Sequence, residues 1–253
     1  MRIIRFKGSE KMAGHSKWNN IKERKGVQDK KRGKIFQKLV KEIYQAAKDG
    51  GPDPETNSAL RLAMDKAKAN NMPNDNVDRA IKRATDPSES ANYHEIVYEG
   101  YGPNGVAVLV ETLTDNTNRT SSTVRVAFDR NGGSLGEKGS VNYLFDRKGY
   151  IAIERENLDI DEDTMLMSAL EAGAEDLETS DEVFEIYTAG TDFTEVRDAL
   201  EKEFELAQAE LTMVPSMFVP LDDDAKETFL GLIDALEDND DVNDVYHNAE
   251  INE

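Results

Sequence analysis

The residues with the most chemistry to offer in this sequence are cations. Between His15 and Lys34 (HSKWNNIKERKGVQDKKRGK) lie Lys17, Lys22, Arg24, Lys25, Lys30, Lys31, Arg32 and Lys34, opposed only by Glu23 and Asp29. Trp18, the sole tryptophan, sits among them. Ammonium and guanidinium groups at this density can replace the counterions condensed on a phosphate backbone, and an indole ring can stack on a base. Lys38 and Lys41 carry the charge onto the outer face of the next segment, so all of these cations, with Trp18, are candidate nucleic-acid contacts. The competing reading is a solvated tail with Trp18 tucked onto the helices that follow.

Other chemistries find little material. Cysteine is absent, which removes thiolate metal sites, cysteine nucleophiles and disulfides and suits a reducing cytoplasm. The three histidines, at 15, 94 and 247, fall in separate segments, and neither G-x-S-x-G nor H-E-x-x-H occurs. Gly100-Tyr-Gly-Pro-Asn-Gly105 formally matches a dinucleotide fingerprint. The following Val106-Ala-Val-Leu-Val110 reads as a strand, however, and not as the helix whose amino end would meet a pyrophosphate, so a hairpin turn is expected. Gly132 to Ser140 lacks P-loop spacing and reads as a flexible crossing. Asp159, Asp161 and Asp163 begin like a calcium loop, but Thr164 and Leu170 occupy the positions that need glycine and glutamate, and helix capping is the better account. Lys148-Gly149-Tyr150 opens like an RNA-recognition signature and departs from it at Ile151 and Ala152. The expectation is a non-enzyme with no metal, no cofactor and no small-molecule substrate.

Elements able to position the cations follow from periodicity. Residues 33–48 read as an amphipathic helix with Ile35, Phe36, Leu39, Val40, Ile43 and Tyr44 on one side and Lys34, Lys38, Lys41 and Lys48 on the other. A second helix follows Gly50-Gly51-Pro52, with Asp53 as its expected cap, and a third spans 74–84, giving a small helical bundle. After Asp86-Pro87 the period changes. Strands are expected at 94–99, 106–112, 141–145, 150–153, near 176, at 183–187, 207–213 and 242–247, with helices at 117–131, 161–172, 193–204 and 222–236. These make two α+β units with antiparallel strands. Asn116, Asn118, Arg119 and Thr120 either cap the helix they open or reach a partner, and capping is favoured.

Length and charge fit this division. The 253 residues are enough for two or three domains, 38% are hydrophobic, and no apolar run is long enough for a membrane helix. Residues 1–83 hold 21 Lys and Arg against 10 Asp and Glu, whereas residues 84–253 hold 10 against 41, within a formal net charge of -20. Halves of opposite sign suggest different partners. The acidic part can dock a basic protein or ribosomal surface, or can repel nonspecific nucleic acid.

Several long motifs in order identify a resemblance. Met12-Ala-Gly-His-Ser-Lys-Trp18, Asn71-Met-Pro-Asn-Asp-Asn-Val-Asp-Arg-Ala-Ile81, Tyr98-Glu-Gly-Tyr-Gly-Pro103, Thr114-Asp-Asn-Thr-Asn-Arg-Thr120, Asn131-Gly-Gly-Ser-Leu-Gly136 and Gly139-Ser-Val141 closely resemble the YebC/PmpR family. The resemblance implies a multi-domain α+β protein with an N-terminal helical bundle domain and two α+β domains with antiparallel sheets, the third inserted into the second. The implied boundaries are a basic helical domain at 12–92, an α+β domain from 93–139 and 217–253, and an inserted domain at 140–216. Residues 1–11 are an extension outside the match. The resemblance also implies a cytoplasmic, DNA-binding transcriptional regulator. Mitochondrial relatives look like translational activators, so the alternative is a ribosome-associated factor relieving stalling through ribosomal RNA contacts.

Overall fold

The structure, a computed structural model, describes residues 17, 18, 20–22, 31–88, 91–156 and 158–251. In chain order its elements are α1 (Arg32–Gly50), α2 (Ser58–Ala69), α3 (Asn74–Ala84), β1 (His94–Tyr101), β2 (Ala107–Thr114), α4 (Thr117–Arg130), β3 (Ser134–Leu135), β4 (Phe145–Glu154), α5 (Glu162–Ala172), β5 (Asp176–Thr179), β6 (Val183–Ala189), α6 (Phe193–Leu200), β7 (Gln208–Pro215), β8 (Val219–Pro220), α7 (Asp223–Glu237), β9 (Val242–His247) and β10 (Ala249–Glu250). Two compact units emerge. One lies within 31–146 and 213–249, and the other holds 147–212 with the described residues at 17, 18, 20–22, 250 and 251.

In the larger unit, α1 buries Leu39, Ile43 and Ala47 against Leu60, Ala63 and Ala67 of α2 and Val77 and Ala80 of α3. The helix spacing expected from the sequence is thus the packing stripe. The α2 start differs from expectation: Asn57, not Asp53, is the cap. Its Oδ1 accepts from the Leu60 amide at 3.1 Å, while its Nδ2 donates to the carbonyls of Ala46 and Gly51 at 2.7 Å each. A carboxylate could make only the first of these contacts, because it has no proton to donate. Asp53 instead closes the preceding turn through the Glu55 amide at 3.0 Å.

The sheet of this unit runs β3-β1-β2-β9. The β1–β2 hairpin is antiparallel, with Tyr101 opposite Ala107, and β9 joins the other edge of β2 with Val110 opposite Val245. Helices α4 and α7 carry the fully buried Phe128, Phe229, Leu232, Ile233 and Leu236. Gly100 allows that packing, since a Cβ there would lie 2.7 Å from the Phe128 ring. The hairpin turn uses Asn104 at φ 57° and Gly105 at φ 75°, so the glycine-rich stretch is a turn, as its strand context requires.

Two expectations around residues 132–145 are corrected. The stretch 132–140 is an ordered connection: Ser134 and Leu135 pair with Tyr101 and Gly100 of β1. The Glu99 carboxylate, only 5% exposed, then accepts from the amides of Gly139 at 2.7 Å and of Val141 and Asn142 at 2.8 Å each. A sequence read for glycine content alone does not show that carboxylate. Residues 142–144 form a 3-10 turn, and the two strands expected at 141–145 and 150–153 are one ten-residue strand, β4.

The smaller unit has the sheet order β5-β6-β4-β7. Ile151, Ile153, Phe184 and Ile186 meet Met165 and Ala169 of α5 and Phe193, Val196 and Leu200 of α6. Asp161 caps α5 through the Thr164 amide at 2.9 Å, which accounts for the aspartates that began like a calcium loop. The chain enters this unit between the strands of the first sheet and returns to supply β9, so the third domain is inserted into the second.

Candidate nucleic-acid interface

The spacing of Lys31, Lys34, Lys38 and Lys41 places all of them on one face of α1 or at its start. That face meets the end of α7 and the turn after it, and is not the open outer face expected from the sequence. The Lys31 amine lies 3.3 Å from Asp234 Oδ1 and 3.0 Å from Asp238 Oδ1. Lys34 donates to the Asp238 carbonyl at 3.1 Å, with the carboxylate at 3.5 Å. Lys38, 9% exposed, donates to the Glu237 carbonyl at 2.6 Å, and Lys41 reaches the Asp240 carbonyl at 2.8 Å and Asp241 Oδ1 at 3.3 Å.

The reason lies in α7. Its last turn has no basic residue of its own, although the end of a helix carries partial negative charge and Glu237 and Asp238 add more. The α1 lysines supply the missing cations. Burial opposes the charge on both Lys31 and Lys38. At Lys31 the Asp238 and Asp234 carboxylates overcome it and hold the amine above its ordinary pKa, whereas at Lys38 burial wins and the pKa falls.

Asp241 is the hub of the same region. Its Oδ2 accepts from Arg119 Nη2 at 2.6 Å and from the Thr120 hydroxyl at 2.8 Å, while Oδ1 faces Lys41. Burial works against its charge, but these donors hold the carboxyl below the usual range. Asn116 caps α4 through the Arg119 amide at 3.0 Å, so capping describes Asn116, and Arg119 and Thr120 are tied to Asp241. Lys66 makes a second ionic link, 3.1 Å from Glu42 and 2.7 Å from Asp244.

The N-terminal candidates belong to the smaller unit. Trp18 is 7% exposed, and its backbone amide donates to Glu185 Oε1 at 2.9 Å. The same carboxylate, 1% exposed, accepts from the Tyr150 hydroxyl at 2.8 Å. Lys17 pairs with Glu210 at 2.6 Å and lies 4.8 Å above the Tyr150 ring, and Lys22 pairs with Glu182 at 2.5 Å. The ring that the sequence offers to a base is therefore enclosed, on a segment whose backbone is tied to the Glu185 carboxylate of β6. Arg32 is exposed at the start of α1, while Arg24, Lys25 and Lys30 lie outside the described residues.

Sequence reasoning missed a further basic edge. Arg79, Lys82 and Arg83 are exposed on α3 at i, i+3 and i+4, and the helix turns Val77 and Ala80 inward. Arg79 and Arg83 flank a groove of about 230 Å³ shared with Val40, Asn76 and Ala80. The signal was present in the same helical period that placed Val77 in the core. Among the described residues no group of three or more His, Asp or Glu is placed to hold a metal ion, and no helix is long and apolar enough to cross a membrane.

The family model described as "TACO1/YebC protein N-terminal domain" matches residues 16–87, and that described as "TACO1/YebC second and third domain" matches residues 93–249. The chain belongs to the TACO1/YebC family. TACO1/YebC relatives include a "Probable transcriptional regulatory protein" of Enterococcus faecalis, 65% identical over 94% of this chain and 99% of that protein. A protein of the same name from Latilactobacillus sakei is 62% identical over 96% and 99%. The crystal structure of a conserved hypothetical protein, Aq1575, from Aquifex aeolicus is similar at a TM-score of 0.76 and 44% identity, covering 88% of this chain and 92% of that one.

Proposed function

We propose that this TACO1/YebC protein is a non-enzymatic, cytoplasmic regulator of gene expression that binds nucleic acid, acting on DNA as a transcriptional regulator. The observation that carries the reading is the basic first third, 21 Lys and Arg against 10 Asp and Glu in a chain of net charge -20. The names of its relatives support the same class. Phosphate contacts centre on Lys31, Arg32 and Lys34, continued along the chain by Arg24, Lys25 and Lys30. Lys17, Lys22 and Lys41 border this surface in sequence, and Trp18 and Lys38 act as anchors because they are enclosed. The working division is a basic helical domain at 12–92, an α+β domain at 93–139 with 217–253, and an inserted domain at 140–216.

The test is the salt dependence of binding to a labelled duplex. Each phosphate contact contributes about -0.9 to the slope of log K against log salt, so Lys30→Glu with Arg32→Glu should weaken binding about equally across sequences and flatten the slope by roughly two contacts. Unchanged affinity and slope would remove the assignment.

A second reading is favoured by the 41 acids beyond residue 83. Bare duplex repels them, whereas a ribosome presents both RNA phosphates and basic proteins. Sedimentation of lysate through sucrose at low and high salt, with and without ribonuclease, separates the two. Salt-sensitive co-migration with ribosomes supports the translation factor, and absence from ribosomes under every condition supports DNA.

A further inference from the structure

We infer that the acidic end of α7 is an internal competitor for the α1 lysines, occupying the places that phosphates take when nucleic acid binds. The inference rests on the nucleic-acid reading above and names a regulation of that same site. Asp234, Glu237, Asp238, Asp240 and Asp241 put five acids into eight residues, and the helix end adds its own partial negative charge. The resulting row of carboxylates and carbonyls presents oxygen to Lys31, Lys34, Lys38 and Lys41 in turn, much as a phosphate strand would.

The row is graded. At its inner end Lys38 is enclosed on the Glu237 carbonyl, and the side chain of Asp241 is only 6% exposed. At its outer end the side chains of Asp234 and Asp238 are 52% and 53% exposed. Exposed pairs are weak and salt-screened, so these are the contacts a polyanion can displace. A nucleic acid gains counterion release on taking Lys31 and Lys34, and the inner contacts keep the helix in place while it does so. Isolated anions lack that gain and are turned away, which gives the acidic end a part in selectivity.

The experiment compares the full-length protein with two double variants of equal charge. Asp234→Asn with Asp238→Asn removes the competitor. Asp223→Asn with Asp224→Asn removes the same charge from the exposed first turn of the same helix. Affinity for a fluorescein-labelled DNA duplex and for a single-stranded RNA of equal length is read by anisotropy at low and physiological salt. The first variant should bind roughly three- to tenfold more tightly than wild type, and the second less than twofold. Equal tightening by both variants would overturn the inference in favour of general charge repulsion. No tightening by the first, with wild type still binding in a salt-dependent way, would overturn it and leave the nucleic-acid reading standing. Failure of all three proteins to bind would remove both. Hydrogen exchange on wild type gives an independent reading that needs no variant. Amides at 238 and 239 should exchange faster in the complex while those at 241 and 242 keep the rates of the free protein, and slower or unchanged exchange at 238 and 239 would also overturn the inference.

Discussion

Replacing Glu99 with alanine tests whether one buried carboxylate organises the connection leading into β4. The side chain accepts three backbone amides, of which that of Val141 is buried and those of Gly139 and Asn142 are partly open. A buried donor left without a partner costs about 1–3 kcal/mol, and water can compensate most of that at the two open positions. The sum is about 2–4 kcal/mol for Glu99→Ala, and about half as much for Glu99→Gln, which keeps one acceptor oxygen but turns an amide toward the donors. Burial raises the Glu99 pKa, yet the three amides outweigh it and hold the carboxyl below its ordinary value. A depressed carboxyl contributes stability above its unfolded pKa of about 4.3 and loses it as pH falls through the folded value. Wild type and variant should therefore differ in urea midpoint at pH 7 and converge in strong acid. Hydrogen exchange at 136–142 should rise in the variant while that of α2 does not. A loss below about 1 kcal/mol with unchanged exchange would refute the reasoning.

Three further outcomes follow from the same kind of accounting. Glu185→Ala orphans the Trp18 amide and the Tyr150 hydroxyl and should cost about 2–4 kcal/mol. Because Trp18 is the sole tryptophan, its emission should shift to the red, and an unshifted spectrum would contradict the docking. Lys66→Met leaves Glu42 and Asp244 facing each other and should cost about 1–3 kcal/mol at neutral pH, discounted for partial exposure. Burial already holds the Glu42 carboxyl above its ordinary pKa, so its protonation as pH falls removes the uncompensated charge, and urea midpoints of the Lys66→Met variant and wild type should draw together in acid. Asp241→Asn weakens the acceptors of Arg119, Thr120 and Lys41 and should lower the thermal midpoint by more than Asp240→Asn, whose carbonyl is the group that Lys41 uses.

Where one residue type and one period decided the outcome, the sequence was legible. The apolar spacing of α1 and α3, the strand character of Val106 to Val110, and the caps Asn116 and Asp161 all depend on neighbours within a turn or two. The role of Glu99 was not legible, because its donors lie forty residues and more along the chain and nothing marks one acid among 51 as buried. The same limit applies to the lysines of α1. Periodicity gave their shared face, but their partners in α7 are about 200 residues away, and an open basic face and one closed on acids have identical sequence patterns. Asp53 and Asn57 are equally good caps by composition, and only the carbonyls of Ala46 in α1 and of Gly51 in the loop decide between them.

The position of β9 has a consequence for the newborn chain. Strand β2, AVLVETLT, pairs with β1 as soon as the hairpin has been made, but its second edge receives β9 only after the stretch from Thr114 to Val242 has been synthesised. At about 5–20 residues per second that interval lasts roughly 6 to 25 seconds, during which an apolar strand edge stands ready to pair with any other strand in reach. A chain released early, or stalled before Val242, would keep that edge open indefinitely. Strand β9 thus seals a seam laid down much earlier in synthesis, and works as the latch against self-association.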